Sequence, residues 1–224
     1  MCRDEKKTRP NTTRAPEDWI CIATGPSLTK EDCDKAARSP AKVIAVNDAY
    51  RLCPDADILY ACDDRWWRHH LPDVRANFKG ELYTQYHNDS VKQYADRENL
   101  KSVPGKGSPG LGFDRIHHGG NSGYQAINLA YLLLDGANLK GSRIILLGYD
   151  MGNTHGKSHF FGDHPTGMSN GNYSNFVPAF SQLAADLKAE GVEVINCSRH
   201  SALTQFKRGV IDDYTDIHRL KRAV

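Results

Sequence analysis

The sequence predicts one α/β domain with a doubly wound and mainly parallel β-sheet. Apolar runs typical of strands alternate with helical patterns along the 224 residues, an order that produces parallel sheets covered by helices. Residues 119–152 combine a glycine-rich helix start, an apolar helix and a short buried strand, which together form half of a βαβ unit. Ligands of such Rossmann-like sheets bind beyond the carboxyl ends of the strands. We therefore expect a site at that edge.

Each predicted element has a local reason. Apolar runs bounded by turn residues are typical of buried strands, and they occur at 19–23, 42–46, 57–62, 81–85, 143–147 and 192–196. Helical spacing predicts helices at about 29–37, around Trp66 and Trp67, between 121 and 136, and at about 174–189. Thr29 is the expected N-cap of the first helix, with Asp32 completing a capping box. The glycines and prolines of 104–120 predict a long loop over the site.

Composition sets the expected domain boundaries and compartment. Residues 1–16 are polar and charged and predict a flexible arm, the domain spans 17–211, and 212–224 form a basic tail. The 29 Lys and Arg against 27 Asp and Glu give no strong signal for nucleic acid or for a membrane surface. The sequence contains no membrane-span or signal-peptide pattern, and its six cysteines lack CxxC spacing. We therefore expect a cytoplasmic protein with reduced thiols.

The turn after the first strand, Thr24-Gly25-Pro26-Ser27-Leu28, is a candidate anion site. Free backbone N–H groups and the dipole of the following helix favour a negative charge at such a turn. The turn matches neither GxGxxG nor a P-loop, so the usual dinucleotide and P-loop sites are not predicted. A simple Gly-Pro turn in which Ser27 caps the helix is the alternative interpretation of the same residues.

Polar residues also follow the second and third strands. Asn47 and Asp48 end one run and Asp63 and Asp64 end the other, so all four should share the carboxyl edge with Gly25. The Asn47 amide can donate to and accept from a sugar or a base. Asp63 and Asp64 can hold a hydrated Mg²⁺ together with phosphate oxygens. The alternative is that Asp48 and Asp64 cap the helices that follow them.

Residues after the later strands complete the predicted edge. Asn121, where the central helix opens, and Asp150, where the next strand ends, are expected walls of the site. Arg199 can pair with a phosphate, and an ordinary surface ion pair is the alternative. His159 and His164 lie five residues apart in the loop over the site, which is a weak pattern for Zn²⁺. A histidine there can act as a general base near neutral pH, and a solvated side chain is the alternative.

In combination, these motifs resemble the bacterial sialyltransferases of glycosyltransferase family 42 and related phage or prophage proteins. The resemblance covers about residues 20–206. It is carried, in the family's order, by Gly25-Pro26-Ser27-Leu28, Asn47, Asn121-Ser122-Gly123, Gly148-Tyr149-Asp150 and Ser158-His159-Phe160-Phe161-Gly162-Asp163-His164. Two positions differ from the family pattern, since Phe160 stands where a hydroxyl is expected and Asp163 is an additional residue before His164.

The resemblance implies a nucleotide-dependent glycosyltransferase that moves a sugar from a nucleotide-sugar donor to a hydroxyl acceptor. It implies that His164 is the general base, that the glycine, asparagine and serine positions hold the nucleotide, that no metal is required, and that the protein is a homo-oligomer. The turn at Gly25 also resembles the archaeal 6-hydroxymethyldihydropterin diphosphokinase-like family, which uses ATP and Mg²⁺ and would employ Asp63 and Asp64. A non-catalytic nucleotide-binding or phage accessory protein is the third hypothesis.

Overall fold

The computed structural model describes residues 15–134, 139–153, 156–162 and 173–215. The predicted flexible arm lies almost entirely outside these ranges, as do His164 and most of the predicted tail. In the described residues, one sheet contains the strands β1 (Asp18–Ile22), β2 (Lys42–Val46), β3 (Ile58–Tyr60), β4 (Glu81–Tyr86), β5 (Lys101–Lys106), β6 (Ile116–His117), β7 (Arg143–Leu147), β8 (Glu193–Asn196) and β9 (Lys207–Arg208).

The sheet is parallel throughout, with the strand order β6-β5-β4-β3-β2-β1-β7-β8-β9. The chain builds outward from β1 to β6 on one side and then crosses back to place β7 against the other side of β1. The point where the strand order reverses therefore lies between β1 and β7, and ligands of doubly wound sheets bind at that point. This topology confirms the predicted Rossmann-like α/β fold.

Helices cover both faces of the sheet. They are α1 (Lys30–Arg38), α2 (Asp64–Asn77), α3 (Asp89–Arg97), α4 (Ser122–Leu133), α5 (Tyr173–Phe176), α6 (Ala179–Ala189) and α7 (Asp212–Thr215), with a 3₁₀ helix at Asn47–Arg51. The predicted capping box of α1 is confirmed, because the Thr29 side chain accepts from the Asp32 N–H and the Asp32 carboxylate accepts from the Thr29 N–H.

Alternation along the strands divides the core into two layers. Ile20 and Ile22 face the side covered by α1 and α2, whereas Cys21 faces the side covered by α4 and α6. Because strands β1 and β7 are buried on both faces, their sequences are apolar throughout rather than alternating. The central strands are therefore buried on both faces where they meet the predicted site.

The predicted loop over 104–120 is partly wrong, since β5 and β6 fall within or next to it and pair in parallel. The cause is a side chain on α4. The fully buried Asn128 Oδ1 accepts from the N–H of Gly112 at 3.1 Å and of His117 at 2.8 Å, and its Nδ2 donates to the Gly112 carbonyl at 3.1 Å. This amide supplies the hydrogen bonds that a longer strand would have supplied.

Two elements near the end of the chain also differ from prediction. The single helix predicted at 174–189 is divided into α5 and α6, with Pro178 between them, because proline lacks the N–H that a continuous helix needs. Helix α7 occupies the start of the predicted basic tail and packs on α1, where Lys35 and Asp212 form an ion pair at 2.8 Å. The fold therefore continues beyond residue 211.

Two expectations from composition concern the described residues. Cys21, Cys33, Cys53, Cys62 and Cys197 are all free thiols. No helix within the described ranges combines the length and the apolar character that crossing a membrane requires.

Candidate functional site

A cavity of about 220 Å³ opens at the carboxyl edge of the sheet, beside the reversal of strand order. The residues that follow β1, β2, β3 and β7 form its floor, the start of α4 forms one wall, and the segment 156–162 and helix α5 contribute to another. The residues that line it are Ala23, Thr24, Gly25, Val46, Asn47, Cys62, Asp63, Arg65, Trp66, Gly120, Asn121, Ser122, Gly123, Gly148, Met151, Ser158, His159, Tyr173 and Phe176. Seven predicted site residues are among them: Gly25, Asn47, Asp63, Asn121, Ser122, Gly123 and His159.

The turn after β1 lines the cavity, but the N–H groups of Gly25, Ser27 and Leu28 are bonded within the protein. The Gly25 N–H donates to the Gly148 carbonyl at 2.8 Å, the Ser27 N–H donates to Asp150 Oδ2 at 3.0 Å, and the Leu28 N–H donates to the Gly25 carbonyl at 3.0 Å. Pro26 has no N–H. The prediction that these amides hold an anion is therefore wrong. Ser27 does not cap α1 either, because the cap is the residue two positions later.

Three further predicted residues stabilise the fold instead of lining the cavity. Asp150 is buried and accepts from the hydroxyl of Ser27 at 2.7 Å as well as from its N–H. Asp48 accepts from the Trp66 indole N–H at 3.0 Å and does not cap a helix. Arg199 forms a two-point ion pair with the buried Asp32, with one bond at 2.9 Å, and donates to the Ser27 carbonyl.

The start of α4 presents hydrogen-bond donors to the cavity. Asn121 caps this helix, since its Oδ1 accepts from the Tyr124 N–H at 2.9 Å. That bond fixes the orientation of the amide, and within the described part of the chain the buried Nδ2 has no hydrogen-bond partner. The first N–H groups of a helix also lack partners inside it, and here they belong to Ser122 and Gly123. This wall therefore favours an acceptor or an anion.

Asn47, at the end of β2, contributes a hydrogen-bond acceptor instead of a donor. Its backbone has a φ of 49°, a left-handed conformation that is strained for most residues and tolerated by asparagine. Its Oδ1 is buried and, among the described residues, has no donor to bond. Because buried acceptors in native proteins are normally satisfied, this atom is a candidate acceptor for a donor such as a hydroxyl or an amine.

The two acidic residues after β3 each pair with an arginine of α2. The N-cap of α2 is Asp63 and not Asp64 as predicted, because Asp63 accepts from the Arg65 N–H at 2.9 Å. Asp63 also bonds to the Arg65 guanidinium, whereas Asp64 bonds to Arg68 one turn along the helix at 3.2 Å. Mg²⁺ usually binds through one or two carboxylates together with phosphate oxygens and water. In the described ranges, no three His, Cys, Asp or Glu side chains are grouped so that they could hold a metal ion.

The outer wall is the segment 156–162, which docks on the turn after β1. His159 Nδ1 lies 2.9 Å from Thr24 Oγ1, and the Phe160 N–H donates to the Thr24 carbonyl at 3.0 Å. Phe161 stacks on the imidazole with ring centres 5.1 Å apart. His159 is therefore held at the cavity in a defined orientation. His164 lies outside the described residues, so its role as a general base stays a prediction.

Cys62 and Tyr173 also line the cavity, and burial keeps both uncharged. Burial raises the pKa of the Cys62 thiol, and the Ser122 hydroxyl, which donates to its sulfur at 3.1 Å, offsets this only in part. Burial likewise raises the pKa of the Tyr173 phenol, which donates to the Ser158 carbonyl at 3.0 Å. Neither group is ionised near neutral pH, so neither acts as an anionic nucleophile.

The lining residues that sequence reasoning missed include two from α5 and two from α2. Tyr173 and Phe176 come from α5, and nothing in their local pattern indicates a site. Trp66 was predicted to pack within its helix, and it does pack on Trp67 while also lining the cavity. Arg65 had a usable signal, since an Asp-x-Arg sequence at a helix start places a guanidinium beside the capping carboxylate.

A scan against protein-family models and a search of curated proteins find no match to this chain. Function has to be inferred from the cavity itself. Its chemistry is well defined: donors and a positive helix end at Asn121 to Gly123, an acceptor at Asn47, and an imidazole at His159. Such a set can hold a ligand that combines an anionic group with a polar, hydroxyl- or amine-bearing part.

Proposed function

We propose that the protein is a nucleotide-dependent transferase that moves a sugar from a nucleotide-sugar donor to a hydroxyl acceptor. One observation carries the proposal. Asn47 and Asn121 line one cavity at the reversal of strand order, and each carries a buried polar atom, the acceptor Oδ1 and the donor Nδ2, that has no partner among the described residues. A nucleotide satisfies both, since its phosphate is an acceptor and its ribose or base carries donors.

The proposed reaction is a single displacement at the anomeric carbon of the sugar. A histidine of the loop removes the proton of the acceptor hydroxyl, and the resulting oxygen attacks the anomeric carbon. The bond between that carbon and the phosphate oxygen breaks, and the nucleotide leaves with the electron pair. The helix dipole and N–H groups at the start of α4 stabilise the negative charge that develops on it. His164 is the proposed base from the sequence resemblance, and His159 is the alternative because it lines the cavity.

A nucleotide should stabilise the folded protein if it binds this cavity. A ligand that binds only the folded state adds about 2.7 kcal/mol at a hundredfold excess over its Kd. Thermal unfolding with CMP, UDP, GDP and ADP and their sugar conjugates should therefore show a rise in Tm for one base. No rise at millimolar concentration, with or without Mg²⁺, would contradict nucleotide binding of any kind.

Asn47 offers a matched control for that measurement. Asn99 also has a left-handed backbone, with a φ of 53°, and lies on the surface between α3 and β5. Asn47→Gly and Asn99→Gly both relieve the same kind of backbone strain, but only the first removes a cavity group. We expect the nucleotide-dependent rise in Tm to be lost in Asn47→Gly and kept in Asn99→Gly. An equal nucleotide-dependent rise in Tm in the two variants would show that Asn47 does not bind the nucleotide.

Product analysis separates the transferase from its competitors. We expect release of a nucleoside mono- or diphosphate from a nucleotide sugar, and we expect it to persist in EDTA because helix donors rather than a metal stabilise the leaving group. AMP formation from ATP that needs Mg²⁺ and is lost in Asp63→Asn would instead assign a diphosphokinase. Binding without either reaction would assign a non-catalytic nucleotide-binding protein.

A further inference from the structure

Arg65 lines the cavity and has no role in the reaction proposed above. It is the second residue of α2, and its side chain is 71% exposed. Among the described residues that line the cavity, it is the one with a permanent positive charge. Its guanidinium bonds to both oxygens of the Asp63 carboxylate, with Nε 3.3 Å from Oδ1 and Nη2 3.0 Å from Oδ2.

The ion pair between Arg65 and Asp63 is suited to exchange. Exposed ion pairs contribute little to stability, so the guanidinium can change partner at small cost. A guanidinium matches the oxygens of a phosphate as well as those of a carboxylate, and a phosphate monoester carries about 1.5 to 2 negative charges at pH 7, against one on a carboxylate. A phosphate in the cavity can therefore compete with Asp63 for Arg65.

Helix α2 remains capped when the guanidinium leaves. Asp63 Oδ1 accepts from the backbone N–H of Arg65 at 2.9 Å, and this bond does not involve the arginine side chain. The helix start therefore keeps its satisfied N–H group while the side chain turns to a ligand. Asp63 combines two roles, as the cap of the helix and as the temporary counterion of the arginine.

We propose that Arg65 binds the phosphate of the ligand by exchanging the Asp63 carboxylate for phosphate oxygens. The same cavity contains the start of α4, where Asn121 Nδ2 and the first helical N–H groups supply further donors. This inference rests on the proposed nucleotide site and narrows its ligand class. The preferred ligand is a nucleoside phosphate or its ester, and a nucleoside without phosphate leaves Arg65 paired with Asp63.

The test compares nucleosides with their 5′-monophosphates on the full chain by titration calorimetry. Arg65→Gln should weaken binding of the 5′-monophosphate by about 10- to 100-fold and leave nucleoside binding unchanged, because only the phosphate contact is lost. Asp63→Asn keeps a good N-cap and frees the arginine, so it should tighten binding of the 5′-monophosphate by about two- to fivefold. A diphosphokinase that holds Mg²⁺ through Asp63 predicts the opposite for this variant.

Arg68→Gln is the matched control. Arg68 lies on the same helix, is 50% exposed and also pairs with an aspartate, but it does not line the cavity. Its substitution should leave both affinities unchanged. Equal binding of the 5′-monophosphate by Arg65→Gln and the unmodified protein would overturn the role of Arg65 while the proposed function stands. If the unmodified protein bound neither nucleosides nor nucleotides, the proposed function itself would fail.

Discussion

Substitution of His164 by asparagine is expected to lower the rate of sugar transfer by about 10² to 10⁴-fold, the contribution typical of a general base. Asparagine keeps a polar side chain of similar length but cannot take up a proton at neutral pH. The base acts on the acceptor hydroxyl, so the affinity for the nucleotide should hardly change. Single-turnover rates and nucleotide affinities, measured on the same preparation, separate the two effects.

His159→Asn is the control within the same loop. The His159 imidazole is bonded to the Thr24 hydroxyl at 2.9 Å and stacks on Phe161, so we expect it to position the segment 156–162 against the cavity. Its loss should slow transfer much less than the loss of His164. If the two rate effects came out in reverse order, His159 would be the base, and the additional residue Asp163 would have displaced His164 from that role.

Gly25→Ala is expected to lower the free energy of unfolding by about 3 kcal/mol, the upper end of the usual cost of overpacking. A Cβ at this position would overlap Asp150 Oδ1 and the carbonyl oxygen of Gly148. The carbonyl belongs to the backbone after β7 and accepts from the Gly25 N–H, so it cannot move without breaking that bond. Urea unfolding should show a lower midpoint at an unchanged slope.

Gly107→Ala provides the comparison, because a Cβ there meets no atom within 4 Å. We expect its free energy of unfolding to change by no more than about 0.5 kcal/mol, the range of ordinary surface substitutions. Similar urea midpoints for the two variants would mean that the turn after β1 can shift to accommodate a Cβ. That result would contradict the overlap with Asp150 and Gly148 described above.

Local patterns were sufficient for the central part of the fold. The strands β1, β2 and β7 were predicted within one residue, because strands buried on both faces have continuous apolar sequences bounded by turns. The capping box at Thr29 and Asp32 depends on residues three apart and was equally visible. Strands β5 and β6 were missed since a distant side chain, Asn128, holds their connection in place.

The site was predictable in position but not in side-chain direction. The rule that ligands bind at the carboxyl ends of parallel strands identified Gly25, Asn47 and Asp63 correctly as residues of one edge. It could not indicate that Ser27 and Asp150 bond to each other, because they are 123 residues apart along the chain. Arg199 and Asp32 are 167 residues apart, and their pairing was equally invisible. Ser27, Asp150 and Arg199 therefore lie outside the cavity lining because each bonds to a residue that is distant in the sequence.

Those two long-range pairs have a consequence for ligand binding. Asp150 fastens the turn after β1 to the end of β7, and Arg199 fastens the beginning of α1 to the segment after β8. These bonds connect the ends of β1, β7 and β8, three neighbouring strands, at the edge where the proposed ligand binds. Little conformational entropy remains to be lost there when the ligand binds, so more of its contact energy appears as affinity. Ligand selectivity is then expected to depend on the exposed part of the wall, which includes the Arg65 side chain at the start of α2.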